Sequence, residues 1–301
     1  MNEVATVVVT YNRKELLREC IEALLKSDAP SDIFIIDNNS TDGTKEYIAD
    51  IVKENDNVIY KHLKRNVGGA GGFSAGMNYV VKRGYKYVWI MDDDTIVKPD
   101  TLSKLLDAAA MLHDNFGFLS STVAWTNGND CKMNIQTYNK NINDIQRYYK
   151  KNGLWPVRAA TFVSLLFTAN AIKGVGLPKR EYFIWGDDKE YTRRMSKNKN
   201  CYNVIDSKVV HKTVGNEGSN ITKDDISRID RYVYAYRNDL ATARDEGIGE
   251  VAVYSAGFCL NMVRVVLFAK DNKAKRLKAM FTGLMYGLKF APKVRHIKVS
   301  D

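Results

Sequence analysis

Three consecutive aspartates, Asp92, Asp93 and Asp94, are the residues of this sequence most clearly suited to chemistry. Adjacent carboxylates repel one another unless a positive group lies among them. They follow an apolar run at residues 87–91 that is typical of a strand buried on both faces, and open α/β sheets bind ligands at the carboxyl ends of such strands. We therefore favour a divalent cation that in turn holds a phosphorylated ligand. The alternative is a solvated turn that caps the helix beginning near Pro99.

A second acidic cluster lies at residues 185–190, Trp-Gly-Asp-Asp-Lys-Glu. An aromatic ring can stack on the face of a sugar, and a neighbouring carboxylate can act as a base. Acidic residues are also common in the first turn of an ordinary helix, so the residues alone leave both interpretations open. His211 ends a later predicted strand. A lone histidine is more often structural, but its imidazole could complete an oxygen-rich cation site.

Two further segments could contact a ligand. Residues 66–72, Asn-Val-Gly-Gly-Ala-Gly-Gly, precede a predicted helix, where glycines permit close backbone approach and the helix N-terminus favours an anion. The segment matches neither the Walker nor the dinucleotide-binding pattern, and a tight loop selected for packing explains it equally well. Residues 37–43 form a dense turn signal after the strand at 33–36. We expect Asp37 and the three aspartates to share the carboxyl edge of one sheet.

The elements that position these residues alternate between strand and helix. This rhythm predicts an α/β fold with a mainly parallel sheet and helices on both faces. The predicted strands are 3–10, 33–36, 58–62, 87–91, 116–124, 159–169 and 202–211. Residues 126–155 are polar and lack periodicity, which predicts a long, mobile surface segment that serves as a lid, an acceptor-binding element or a plain insertion. The Gly- and Asn-rich residues 213–220 divide an α/β domain, 1–215, from a helical region, 216–301, with helices at 224–246, 251–269 and 276–289.

The net charge of +10 is concentrated at one end of the chain. From residue 251 onward seven Lys and three Arg face two Asp, a net charge of +8, so the first 250 residues carry only +2. No nucleic-acid-binding motif accompanies this charge, so we do not expect nucleic acid as a partner. A basic region with apolar helices suits an anionic membrane surface, here through residues 251–301. Packing on the α/β domain or on a second subunit of a homo-oligomer is the alternative.

Three observations bear on the compartment. Arg264 interrupts the apolar residues 251–269, and an arginine at the centre of a helix costs about 2.5–3.5 kcal/mol on membrane insertion, so we predict no transmembrane helix. The four cysteines form no Cys-x-x-Cys pair, which argues against structural zinc and disulfides and fits a reducing compartment. The first residues lack the basic segment of a signal peptide. We expect a cytoplasmic protein, peripheral on the inner face of the cell membrane.

Five motifs in order, over about residues 4–211, carry a family resemblance. They are residues 7–13 (Val-Val-Val-Thr-Tyr-Asn-Arg), 36–43 (Ile-Asp-Asn-Asn-Ser-Thr-Asp-Gly), 65–73 (Arg-Asn-Val-Gly-Gly-Ala-Gly-Gly-Phe), 91–94 (Met-Asp-Asp-Asp) and 185–190. The sequence resembles a family 2, GT-A-fold inverting glycosyltransferase, and in motif form bacterial galactofuranosyltransferases and rhamnosyltransferases. Residues 234–238, Tyr-Ala-Tyr-Arg-Asn, resemble an aromatic-Arg-Asn element of the same group. Gly186 departs from the bulkier residue expected beside the acidic pair.

The resemblance implies a role for each matching residue. It implies that Asp188 is the catalytic base and that Asp92, Asp94 and His211 hold Mn²⁺ or Mg²⁺. The implied nucleotide-sugar-binding residues are Thr10, Tyr11, Asn12, Arg13, Asp37, Asn39, Arg65, Asn66, Gly68, Gly69, Asp92, Asp93, Trp185 and Asp187.

The implied activity is metal-dependent transfer of a sugar to a hydroxyl of a lipid-linked glycan acceptor in surface polysaccharide synthesis. UDP-galactofuranose is the favoured donor and dTDP-rhamnose the alternative. A non-catalytic glycan-binding scaffold is the alternative from a different class, but the acidic residues at 92–94 and 188 argue against it, because a scaffold needs none of them.

Overall fold

The computed structural model describes residues 2–297, which form one sheet with helices on both faces and a separate group of C-terminal helices. The strands are β1 (Val4–Thr10), β2 (Asp32–Asp37), β3 (Val58–His62), β4 (Tyr87–Asp92), β5 (Thr95–Val97), β6 (Phe118–Trp125), β7 (Thr137–Tyr138), β8 (Leu154–Ala159), β9 (Leu165–Thr168) and β10 (Tyr202–His211). The helices are α1 (Lys14–Leu25), α2 (Thr44–Tyr47), α3 (Ala49–Glu54), α4 (Gly68–Val81), α5 (Thr101–Met111), α6 (Asp144–Lys151), α7 (Ala169–Val175), α8 (Asp187–Asn198), α9 (Tyr232–Glu246), α10 (Ile248–Phe268) and α11 (Lys273–Lys289).

The sheet has the strand order β3-β2-β1-β4-β9-β6-β10-β8-β7, and β5 also pairs with β10. The first four strands run parallel, as predicted, and β6 is parallel to β10. Between these two groups β9 runs antiparallel to both β4 and β6. The architecture is an α/β fold with a mixed sheet, to which a helical C-terminal region is added.

The β-branched residues of β1 explain why the sheet is covered on both sides. Every residue of β1 is buried. Alternate side chains point to opposite faces, so Val8 joins the core under α1 and α5 while Val7 and Val9 join the core under α4. A strand buried on both faces must be apolar throughout, which is the pattern that the sequence shows.

Two sequence predictions differ from the structure. Residues 126–155 lie largely at the surface, as predicted, but they are not without secondary structure. Residues 126–155 contain a short 3₁₀ turn, β7 and α6, and α6 begins with a reciprocal capping box between Asn143 and Gln146. Their polar composition conceals these short elements. The single strand predicted at 159–169 is two strands, because the chain breaks between β8 and β9 at Ser164, whose φ is 58°. The Ser164 hydroxyl accepts a hydrogen bond from Trp89 Nε1 at 2.9 Å, which holds this break in the core.

The C-terminal helices have their own apolar core. Tyr232, Tyr236, Phe258, Val265 and Met280 are buried together between α9, α10 and α11. The outer face of α10 remains exposed, and its most apolar 18-residue window has a mean hydropathy of 1.8 with 11% of the window buried. By length and composition alone α10 is therefore able to cross a membrane, whereas the sequence analysis predicted no transmembrane helix.

Candidate active site

The carboxyl ends of three parallel strands meet at one edge of the sheet. Thr10 at the end of β1 is paired in register with Asp37 at the end of β2, and Val9 is paired with Asp92 at the end of β4. The prediction that Asp37 and the three aspartates share an edge is therefore confirmed. The helix-capping alternative is wrong, because β5 separates the aspartates from α5, whose N-cap is Asp100.

A short hairpin brings His211 to this edge. The chain turns at Asp93 and Asp94 into β5, which pairs with the end of β10 so that Thr95 lies opposite His211. His211 Nε2 is 2.8 Å from Asp94 Oδ1. One ligand atom from each of Asp92, Asp94 and His211 lies within 4.8 Å of the others. The structure thus groups the three residues that the resemblance identified as metal ligands.

The chemistry of this group fits a hard divalent cation. Two carboxylates and one imidazole form the donor set expected for Mn²⁺ or Mg²⁺. Burial, followed by the charges of Asp94 and Asp93, raises the pKa of Asp92 well above its usual range, so a positive ion would stabilise the ionised carboxylates. Asn134 Oδ1 lies 2.7 Å from His211 Nδ1 and can only accept a hydrogen bond. Without a cation, Nε2 faces the Asp94 carboxylate and donates to it. With a cation bound, the neutral ring would keep its hydrogen on Nδ1, and Nε2 would be the metal-binding atom.

Asn134 is a residue of the candidate site that the sequence analysis missed. Its Nδ2 donates to Thr161 Oγ1 at 2.7 Å, which fixes the orientation of the amide and directs the carbonyl oxygen at His211. Cys131 Sγ also donates to this oxygen, at 2.9 Å. Asn134 lies in the irregular segment at 126–155, where no periodicity indicated it.

Arg13 offsets part of the negative charge, and Thr10 donates a hydrogen bond to it. Arg13 Nη1 donates to Asp94 Oδ2 at 2.7 Å and to Asp93 Oδ1 at 3.3 Å, while the Thr10 hydroxyl donates to Asp93 Oδ2 at 2.7 Å. Burial raises the pKa of Asp93 to about 6 even with these partners. Burial also acts to raise the pKa of Asp94, but hydrogen bonds from His211 and Arg13 outweigh it and lower that pKa. Half of the Arg13 side chain is exposed, so Arg13 lies at the mouth of the site.

Asp37 is buried, and its carboxylate is already held on two sides. Its Oδ1 accepts the Ser40 amide at 2.7 Å, and its Oδ2 accepts the hydroxyl of Tyr60 from β3. Tyr60 was not identified from the sequence, because a tyrosine in a strand is an ordinary core residue. Asn39 has a φ of 67°, which turns the chain sharply beside Asp37. The implied contact of Asp37 with a nucleobase or ribose stays a prediction.

The turn at residues 10–13 is joined to the turn at residues 37–43. The Asn12 amide donates to Ser40 Oγ at 2.9 Å, and Asn12 Oδ1 accepts the Thr41 amide at 2.7 Å. These two hydrogen bonds therefore hold the turn after β1 against the turn after β2. Tyr11 is 44% exposed beside it, which leaves its ring accessible to a ligand.

Several glycines of the glycine-rich segment are needed for close packing. Gly68 has a φ of 74°, and a Cβ there would overlap the backbone carbonyl of Phe183. A Cβ at Gly72 would overlap the side chain of Val9. Gly69 faces open space and is the glycine of the implied pair that remains accessible.

The amides at the start of α4 also have partners. Asn66 Oδ1 accepts the Gly68 amide at 2.8 Å, and the Phe183 carbonyl accepts the Ala70 amide at 3.2 Å. Arg65 is exposed immediately before this helix. The packing alternative thus accounts for Gly68, and ligand contacts by Arg65, Asn66 and Gly69 stay predictions.

The second acidic cluster forms the first turn of α8. Gly186 is the N-cap and has a φ of 81°, a left-handed conformation that a bulkier residue adopts only with strain, which explains the departure from the family pattern. Burial, followed by the charge of Asp188, raises the pKa of Asp187 to about 8. Burial also raises the pKa of Asp188 to about 6. The charge of Asp187 raises the pKa of Asp92 as well, so the two acidic clusters interact electrostatically.

The structure therefore joins Thr10, Arg13, Asp93, Asp94 and His211 by direct contacts. A ligand atom of Asp92 lies within 4.8 Å of those of Asp94 and His211. Strand register adds Asp37 to this group. Residues 185–188 are connected to the same edge through the Phe183 carbonyl, which bonds the start of α4. A carboxylate with a pKa of about 6 at this position is suited to act as a general base near neutral pH.

Comparisons with known proteins identify the family of the chain. The family model described as glycosyl transferase family 2 matches residues 6–171. Galactofuranosyltransferase GlfT1 of Mycolicibacterium smegmatis is 27% identical over 215 residues, covering 64% of this chain and 65% of that protein. An undecaprenyl-phosphate mannosyltransferase of Micrococcus luteus is 31% identical over 105 residues, covering 35% of this chain and 43% of that protein. The chain thus spans slightly less than two thirds of the length of the galactofuranosyltransferase.

Solved structures show the fold. The mannosyltransferase PcManGT from Pyrobaculum calidifontis, in complex with GDP-Man and Mn²⁺, has a TM-score of 0.57 at 13% identity, covering 96% of this chain and 86% of that one. S. aureus TarS 1–349 has a TM-score of 0.53 at 17% identity, covering 96% of this chain and 72% of that one. Since the family model matches more than half of its length, the chain belongs to glycosyl transferase family 2, and its fold is GT-A.

Proposed function

We propose that this glycosyltransferase is metal-dependent and inverting, and that it moves a sugar from a nucleotide-sugar to a hydroxyl of a lipid-linked glycan acceptor. The observation that carries the proposal is the grouping of Asp92, Asp94 and His211 at the carboxyl edge of the sheet. Two carboxylates and an imidazole with ligand atoms within 4.8 Å of one another suit a divalent cation. Arg13 beside them suits a phosphate. A scaffold without catalysis would not need this buried negative charge.

Different residues of the chain have different roles in the proposed reaction. Asp92, Asp94 and His211 would hold Mn²⁺ or Mg²⁺, which when bound supplies positive charge to the departing diphosphate. Asp188 accepts the proton of the acceptor hydroxyl as that oxygen attacks the anomeric carbon. The nucleoside diphosphate leaves from the opposite face, so the configuration inverts in one displacement. Trp185 contributes an aromatic face to the sugar or acceptor pocket.

UDP-galactofuranose is the donor that we propose, with dTDP-rhamnose as the second candidate. The support is the form of the motifs at residues 65–73 and 91–94, together with the similarity to galactofuranosyltransferase GlfT1. Tyr11 is accessible at the edge that contains Asp37, in a position to stack on a nucleobase.

The exposed face of α10 and α11 supports contact with an anionic membrane. Leu267, Phe268 and Met285 are 63%, 68% and 60% exposed, and the net charge of this region is strongly positive. Apolar side chains would enter the lipid boundary while lysines contact its headgroups, each Lys contributing about 1 kcal/mol. This placement on the inner face of the membrane would bring the active site near a lipid-linked acceptor.

A donor panel tests the proposal. The protein is incubated with Mn²⁺ and each of UDP-galactofuranose, dTDP-rhamnose, UDP-galactose and GDP-mannose, and the release of nucleoside diphosphate is measured. We expect release of UDP from UDP-galactofuranose, and loss of this release in EDTA. Release of dTDP alone would support the rhamnosyltransferase instead. If no donor releases its nucleotide, with or without a lipid-linked acceptor, the non-catalytic scaffold is the better account.

A further inference from the structure

The loop that leads into α8 has a strained backbone. Phe183 and Trp185, both bulky residues, have φ angles of 65° and 63°, and Gly186 follows at 81°. Large side chains rarely adopt this left-handed region, and such strain persists only where the surroundings hold it. Asp187 and Asp188 come immediately after this loop, so its conformation sets where the two carboxylates lie.

One buried side chain of α9 holds the carbonyls of this loop. Asn238 is completely buried, and its Nδ2 lies within hydrogen-bond distance of the carbonyl oxygens of Trp185 at 2.7 Å, Tyr182 at 2.9 Å and Ile184 at 3.1 Å. Buried carbonyls need a donor, and an amide nitrogen is able to serve several of them. The Asn238 carboxamide is held in turn by Arg237, whose Nε donates to its Oδ1 at 2.9 Å.

Arg237 extends the same set of contacts. Its Nη2 donates to the carbonyls of Glu181 at 2.9 Å and Tyr182 at 3.0 Å. Its guanidinium lies 3.9 Å from the ring centroid of Phe290, which fixes the side chain by stacking. Tyr234, from the same turn of α9, stacks on Phe183 with ring centroids 5.2 Å apart.

We propose that Arg237 and Asn238 are positioning residues for the catalytic base: they hold the loop at 181–186 in its strained conformation and so direct Asp188 at the acceptor. The inference rests on the proposed function for the role of Asp188. It assigns a purpose to the Tyr-Ala-Tyr-Arg-Asn element at residues 234–238. Among the residues that the structure describes, this element makes no hydrogen bond to the donor edge, the carboxyl ends of β1, β2 and β4. The C-terminal helices would then be needed for catalysis as well as for contact with a membrane.

Substitution of Asn238 by Asp tests this role, because the carboxylate has the same shape but offers no donor to the three carbonyls. The matched control is Thr242→Val. Thr242 lies one turn further along α9, is buried, and bonds the hydroxyl of Tyr182 at 3.0 Å without touching a loop carbonyl. Hydrogen–deuterium exchange is measured for residues 183–188, together with kcat and the affinity for UDP in Mn²⁺.

We expect Asn238→Asp to speed exchange in residues 183–188 at least about 10-fold, because these amides then belong to a loosened loop. kcat should fall by about 10- to 100-fold, the effect of a misplaced catalytic group, with UDP affinity unchanged because UDP binds at the donor edge. Thr242→Val should leave both exchange and kcat near the wild-type values.

Arg237→Lys is a second variant, for use if Asn238→Asp does not fold. It keeps the charge but removes the paired donation to Glu181 and Tyr182, and we expect a smaller change in the same direction. The proposal is overturned if the folded variants exchange residues 183–188 at the wild-type rate, or if Thr242→Val has the same effect as they do. Because exchange is measured without substrate, this outcome is independent of whether the protein transfers a sugar.

Discussion

Asp188 is half-buried, in surroundings that disfavour its charge. Burial raises its pKa to about 6, whereas an exposed aspartate ionises near 4. A base must be deprotonated to act, so the raised pKa makes turnover fall as the pH drops through about 6. We expect kcat/KM to lose about 10-fold for each pH unit below that point and to be level just above it. A rate profile from about pH 5 to pH 7.5 checks this, and a profile without a decline near 6 would contradict the assignment.

Asn134 gives a second prediction at the scale of single residues. Removing its carboxamide in Asn134→Ala leaves His211 without the acceptor that fixes its ring and its tautomer. We expect Mn²⁺ affinity to fall by about 10- to 100-fold, as for other residues that orient a metal ligand. Calorimetric titration with Mn²⁺ measures it.

The control for Asn134 is Gln136→Ala, from the same segment, because Gln136 bonds the Ser121 carbonyl and does not contact His211. An equal loss of affinity in both variants would mean that the segment as a whole, and not the Asn134 contact, supports the site.

The candidate ligands could be predicted from residue type, whereas the residues that support them could not. Three adjacent aspartates after an apolar strand are unusual enough to indicate a cation. Asn134 and His211 are 77 positions apart, and neither has a local signature that connects it to the other. Tyr60 is similar, since only the pairing of β2 with β3 brings its hydroxyl to Asp37.

At the scale of elements, the contact of α4 with the loop before α8 requires a glycine. A Cβ at Gly68 would overlap the Phe183 carbonyl and strain a backbone with positive φ, so Gly68→Ala should lower the free energy of unfolding by about 2 kcal/mol or more. Gly69→Ala is the matched control, because its Cβ would meet open space and alanine favours a helix. Denaturation in urea measures both. Equal stability of the two variants would contradict this prediction, because it would mean that the loop before α8 moves to accommodate the Cβ without loss of stability.

Helices and strands were predictable from the sequence where a periodic pattern of apolar residues extends over the whole element. The strands of the first half and the amphipathic α1 follow their sequence patterns closely. The pattern fails at Ser164, because an apolar run does not reveal a break that a side-chain hydrogen bond in the core makes stable. It fails also at α6, whose eight residues are too few to show a helical period and depend on their cap.

At the scale of the whole molecule, ionic contacts join the C-terminal helices to the rest of the chain. Arg158 of β8 contacts Glu246 at 2.8 Å, and Lys179 contacts Asp245 at the end of α9. The boundary near residue 215 therefore stays a prediction about chain organisation. These contacts are long-range, so no local pattern in the sequence indicates them.

The exposed apolar end of α10 gives a prediction at this scale. The double substitution Leu267→Ser and Phe268→Ser removes two exposed apolar side chains that we place in the lipid boundary. We expect sedimentation with anionic phosphatidylglycerol vesicles at low salt to weaken at least about 10-fold, since each buried apolar side chain contributes about 1.5–3 kcal/mol. Ile145→Ser, on α6, is the control, because Ile145 is 64% exposed away from these helices.

If the wild-type protein does not bind the vesicles, or if the double variant binds as well as the wild type, the membrane proposal is wrong. If the wild-type protein resists extraction from native membranes at alkaline pH, α10 spans the bilayer and the peripheral placement is wrong.

The proposed mechanism depends most directly on Asp188. The test is to measure the rate of sugar transfer by the Asp188→Asn variant with the donor that the panel identifies. The amide has the size of the carboxylate but cannot accept the acceptor's proton. We predict that sugar transfer falls by about 10²- to 10⁴-fold while the affinity for the nucleoside diphosphate is unchanged. Transfer within about 10-fold of the wild-type rate would contradict the assignment of Asp188 as the base and the mechanism built on it.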